Sequence, residues 1–218
     1  MSEGKKLGVK TETVSTTQIP FNVTSQNPFN KCMLVSVEAK ATEIKKGDKA
    51  GQKPVTLSFT FESGDRTKRH TETIWPLADD DAKFNDKFGW MEQRIKHVAE
   101  KYIDITPEIA NQLSGDNFDE FFTNVANVFN TGKAGKPIFK TEDDKPIAMW
   151  LKLTYDNNNR LQFPFPNFLE KVSETNKEAP KTLTVGNKDK VDKVVASNNA
   201  PGVNTKGNTE DLPDGFDF

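Results

Sequence analysis

Two tryptophans stand beside cations in stretches that alternate as strands do. Trp75 shares a parity with Arg69, Thr71 and Thr73, and Lys152 follows Trp150 at the same parity. An aromatic plane and a cation on one polar strand face suit single-stranded nucleic acid. Unstacked bases lie on aromatic rings at about 1 to 3 kcal/mol each, while Lys and Arg neutralise phosphates. Duplex DNA offers no free base face to such a ring. Further cations come from the glycine-containing stretch that holds Lys45, Lys49 and Lys53, from Arg66 and Arg160 beside turns, and from Lys40 on an outward parity. The candidate nucleic-acid-binding set is Lys40, Lys45, Lys49, Lys53, Arg66, Arg69, Trp75, Trp150, Lys152 and Arg160.

Residues for covalent or metal chemistry do not assemble in the same way. His70 and His97 are the only histidines, and neither has nucleophile or metal-ligand spacing around it. The run Gly132-Lys133-Ala134-Gly135-Lys136-Pro137 has its glycines too close for a phosphate-binding loop, and Pro137 stands where a hydroxyl is needed. Asp79, Asp80 and Asp81 precede a helical pattern, where the helix dipole accounts for acids. The expectation is a non-enzymatic protein without cofactor or metal.

Alternation places the first strand at 31–44, with Met33, Val35, Val37 and Ala39 on its apolar face. The second is the strongest: Val55, Leu57, Phe59 and Phe61 alternate with Thr56, Ser58, Thr60 and Glu62. After a turn at 63–66, residues 67–75 resume in extended form. Phe84, Phe88, Met91, Ile95, Val98 and Tyr102 recur at helical spacing over 82–103, and further helix is predicted from Thr106-Pro107 and over 118–129. Strands at 147–155 and 161–165 follow, then a helical turn at 167–172. Three strands, a helical block and two strands predict a mainly β fold with an α insertion. The expected architecture is a five-stranded Greek-key barrel of the OB type, with the helices of about 82–130 between strands three and four. The expected organisation is an N-terminal arm at 1–30, the binding domain at 31–172, a flexible linker at 173–208 and an acidic tip at 209–218.

Composition limits how much of this can be packed, because hydrophobic residues make up only 34% of 218. The lone Cys32 has no partner for an intramolecular disulfide, and no apolar run reads as a signal or membrane span. A cytoplasmic setting is expected, in which the Asn22-Val23-Thr24 sequon has no meaning. The net charge of −2 hides a partition. Glu210, Asp211, Asp214 and Asp217 lie in the last nine residues, and without them 30 basic residues face 28 acidic ones. Over 31–76, nine Lys and Arg face six Asp and Glu, so the positive excess falls on the predicted sheet.

The tip itself sets Phe216 and Phe218 among acids with no apolar run to fold against, the form of a displayed peptide ligand. A base-stacking barrel, a polar linker and an acidic tip ending in Phe together resemble the replicative single-stranded DNA-binding proteins of bacteria and tailed phages. In the bacterial proteins the tip ends in Pro-Phe; here Pro213 is displaced and Gly215-Phe216-Asp217-Phe218 closes the chain. The resemblance implies coating of single-stranded DNA in replication or recombination. It further implies that Asp211, Asp214, Phe216, Asp217 and Phe218 recruit replication or recombination proteins.

Overall fold

The computed structural model describes residues 18–193 apart from 79, 133, 134 and 165; the acidic tip lies outside the described residues. Its main element is a five-stranded antiparallel sheet, in the order β3 (Arg69–Ile74), β2 (Val55–Ser63), β1 (Phe29–Ala41), β4 (Ala148–Lys152), β7 (Leu169–Lys171). The first four lie in the spatial order of a Greek key. Two short strands, β5 (Thr154–Tyr155) and β6 (Leu161–Gln162), pair separately as a hairpin. The sheet does not close into a barrel: β3 and β7 are its two edges.

Alternation in β2 is kept, and Leu57, Phe59 and Phe61 are buried on the inner face. In β1 the expected parity holds only in the second half. A register shift between Leu34 and Ser36 inserts one extra residue, so Cys32 and Leu34 share the inner face with Val37. Such a bulge reverses the side-chain parity on either side of it, which moves Met33 and Val35 out of the core.

Helices α1 (Phe84–Ala99), α2 (Pro107–Gln112) and α3 (Phe118–Thr131) fill the connection from β3 to β4. Thr106 and Asn117 cap α2 and α3 by accepting from the N–H groups of Ile109 and Glu120, which sets where each helix starts. Helix α3 packs on β1 and β2, with Phe129 edge-on to Phe59 at 5.5 Å between ring centroids. It stops at Gly132, whose φ is +49° and where an added Cβ would come within 2.7 Å of the Lys136 carbonyl oxygen. Helix α1 buries Met91, Ile95 and Val98, and its Arg94 donates to the Phe163 carbonyl. Phe163 stacks on Phe168 at 4.4 Å and meets Phe61 edge-on at 5.7 Å, so the core continues beneath the hairpin.

Three sequence expectations change here. The fifth strand of the sheet is Leu169–Lys171, where a helical turn was expected, because Leu169 is an inner-face residue paired with Leu151. Part of the expected arm is folded: Phe21 and Val23 are buried in the core, and Ile19 bridges Lys68 at the outer side of β3. The predicted linker begins as folded structure, since 173–193 runs as a strap across the outer side of β4 and β7. Asn176 and Leu183 are buried in it, and the Glu170 carboxylate accepts from the N–H groups of Lys181, Thr182 and Leu183 and from the Thr182 hydroxyl.

Candidate nucleic-acid interface

The outer face of the sheet has two halves. On the β4–β7 half, the parity expected for Trp150 and Lys152 is right, but the strap covers both. Trp150 is 8% exposed and its Nε1–H donates to the Asn176 carbonyl at 2.8 Å, while Lys31 Nζ sits 5.0 Å from its ring. Lys152 is 5% exposed; its Nζ donates to the Thr184 carbonyl at 2.9 Å and pairs with Asp189 at 3.0 Å. Neither side chain presents a stacking plane or a charge to a ligand. Arg160 lies outside the five-stranded sheet, in the β5–β6 turn, and is paired with Asp156 at 2.7 Å.

Part of the β1–β3 half remains accessible. Thr60 and Thr71 meet there at 3.1 Å, with Thr73 beside them, whereas Ser58, 3.1 Å from Thr73, and Thr56, 2.7 Å from Thr42, are buried. Longer side chains rise on both flanks, Glu38 and Lys40 from β1 and Arg69 from β3, all exposed. Leu57 pairs with Ile74 and Thr56 with Lys40. β3 ends at Ile74, so half-buried Trp75 follows it at the end of the sheet from which the β1–β2 loop projects.

The cations on the flanks are already neutralised. Arg69 donates to Glu62 through Nη2 at 2.6 Å and Nε at 3.1 Å, and Lys40 pairs with Glu38 at 3.2 Å. Hydrogen bonds from Ser36 and then Lys40 hold the Glu38 carboxyl below its ordinary range, so it stays ionised. Free positive charge is found in the loop instead. Lys45, Lys46, Lys49 and Lys53 are exposed, and no ion pair among the described residues includes them. The loop extends the β1–β2 hairpin outward: Thr42 N–H donates to Pro54 and Ile44 N–H to Gln52, both at 2.9 Å. Gly47 and Gly51 take up φ of +81° and +87° to turn it back. Arg66 is exposed at the opposite end, in the β2–β3 turn. The structure thus brings Lys40, Trp75 and the loop lysines to one end and leaves Arg66 at the other.

The histidines have structural partners. His70 meets Glu72 at 3.1 Å on the inner face, where Glu72 also accepts from the Phe163 N–H. Burial, and then the charge of Lys101, lower the His97 pKa to about 4, and the neutral ring accepts from the Leu169 N–H. Among the described residues no group of three or more His, Cys, Asp or Glu is placed to hold a metal. No helix among them is long and apolar enough to cross a membrane. The hydroxyls of Thr60, Thr71 and Thr73 are the part of the surface that reasoning from aromatics and cations overlooked, although their signal was present in the Ser and Thr alternation of β2 and β3.

Comparison with known protein families, with curated proteins and with solved structures finds no match for this chain.

Proposed function

We propose that the protein binds single-stranded DNA across the outer face of β1–β3, with the β1–β2 loop lysines on the phosphates and Trp75 under a base. The observation that carries the reading is that Trp75, directly after β3, and Lys40, near the end of β1, lie at the end of the sheet from which a loop of four exposed lysines projects, none of them in an ion pair among the described residues. Paired flanks and the accessible hydroxyls of Thr60, Thr71 and Thr73 supply polar contacts without a base-specific code, so recognition rests on single-strandedness and stacking. An OB-type architecture is supported by the strand order β3-β2-β1-β4-β7 and by the helices between β3 and β4; it would be a barrel opened between β3 and β7. Coating of DNA in replication or recombination, with recruitment of replication proteins through Asp211, Asp214, Phe216, Asp217 and Phe218, belongs to the same reading.

The experiment is a titration of Trp75→Ala with oligo(dT). Trp75 contributes a stacking plane outside the buried core, so the variant keeps its unfolding midpoint and loses about 1 to 3 kcal/mol of binding. Unchanged affinity in a folded variant removes Trp75 from the interface.

A further inference from the structure

Among the described residues Arg66, Asp144 and Asn159 take up a positive φ without being glycine. Asp and Asn tolerate this region, because their short polar side chains hydrogen-bond locally. Arg66, at +59°, has no such compensation: its N–H donates to the Ser63 carbonyl and its carbonyl accepts from Gln18, but its side chain enters no hydrogen bond or ion pair among the described residues. Gly64 stands two residues earlier in the same turn, where φ is not positive and an added Cβ would meet nothing within 4 Å. The turn thus carries an arginine at the position that favours glycine. Local structure gives no reason for the choice, and residues held in such conformations cluster at binding sites.

Charge points the same way. Arg66 is exposed and unpaired, whereas Arg69 beyond it is taken by Glu62. Asp65 is engaged within the turn: the Ser63 hydroxyl, then the N–H and hydroxyl of Thr67, donate to its carboxylate and lower its pKa to about 2. With half-buried Lys68, residues 65–68 hold two cations against one acid. This turn and the lysine loop lie at opposite ends of β2, whose nine residues span about 27 Å at about 3.4 Å per residue. Between them along the outer face lie Thr73, then Thr71 with Thr60, then Arg69 with Glu62.

We propose that Arg66 is a second phosphate contact, and that a single strand lies lengthwise along β2 and β3 with the loop lysines at one end and Arg66 at the other. The inference rests on the proposed binding of single-stranded DNA and adds its path and footprint. About eight nucleotides cover the distance at the stacked spacing of about 3.4 Å per phosphate, and fewer do so when stretched. That length falls within the range of about 4 to 16 nucleotides for a single OB-type domain.

Titration of Arg66→Gly and of the parent with oligo(dT) of four and of twelve nucleotides tests it. Glycine is at ease at this φ, so the variant is expected to unfold no earlier than the parent. It is expected to bind the twelve-nucleotide strand about threefold to tenfold more weakly at low salt, with a slope of log affinity against log salt flatter by about 0.7. The four-nucleotide strand does not reach from loop to turn, and its affinity is expected to be unchanged. Arg66→Lys keeps the charge and is expected to restore binding of the longer strand. Parent-like binding of the twelve-nucleotide strand by Arg66→Gly overturns the proposal and leaves Trp75 and the loop lysines in place. Equal weakening for both lengths overturns the lengthwise path. A lower unfolding midpoint for Arg66→Gly assigns the arginine to the turn and also overturns it. Absence of oligo(dT) binding by the parent removes the proposed function together with this inference.

Discussion

Reversing three loop lysines together, Lys45→Glu, Lys49→Glu and Lys53→Glu, lowers oligo(dT) affinity by roughly 10²-fold or more at low salt and leaves thermal unfolding unchanged. The size follows from where charge is free. Arg69 and Lys40 are matched by Glu62 and Glu38, so a phosphate approaching the flanks meets neutral pairs. The loop lysines are in no ion pair among the described residues, are exposed and hold no part of the core, which is why charge there changes binding without changing the fold. Each phosphate contact on a single strand contributes about 0.7 to the slope of log affinity against log salt. Loss of three contacts should flatten that slope by about 2. A slope equal to that of the parent would place the phosphate track elsewhere, with Arg66 and Lys68 at the other end of the face as the remaining cations.

The second large effect is on stability, and it reverses the role that spacing alone gives to Trp150. Trp150→Ala is expected to destabilise the protein by about 3 to 5 kcal/mol, since the buried ring fills space between β4 and the strap and its loss leaves a cavity. It also frees the buried Asn176 carbonyl from its donor. Chemical denaturation measures the loss; a variant as stable as the parent would show that the strap does not depend on this ring. The same strap is sensitive to acid. Burial raises the Glu170 carboxyl, but hydrogen bonds from Lys181, Thr182 and Asn176 outweigh it and hold the pKa at about 2, below the ordinary 4.5. A carboxyl depressed by folding stabilises the fold where it is ionised in both states. Its contribution, about 2 to 3 kcal/mol, is therefore complete above about pH 5 and is lost as the pH falls through 4.5 toward 2. Glu170→Gln should flatten that limb of the stability profile.

What the sequence made legible follows from how local each signal is. The alternation of β2, the helical spacing of α1 and α3 and the Thr106-Pro107 start of α2 are local patterns, and the structure keeps them. The bulge in β1 is invisible locally, because Met33 and Val35 are as apolar as Cys32 and Leu34 and only the register against β2 decides between the two parities. Trp150 and Lys152 lie on the side of β4 that alternation assigns, yet their environment comes from residues 26 to 37 positions later. That strap carries little hydropathy of its own. It is held by backbone N–H groups converging on Glu170 and by Lys152 with Asp189, interactions that leave no periodic trace. The exposure of the lysine loop was legible because exposure is what charge and turn residues favour.

The most direct test of the account is an equilibrium titration of the intact protein with oligo(dT) and with a duplex of the same length, at low and at moderate salt. Saturable oligo(dT) binding that quenches tryptophan fluorescence, weakens with salt and exceeds duplex binding is the predicted result. Absence of oligo(dT) binding at low salt, or equal affinity for the duplex, would contradict it.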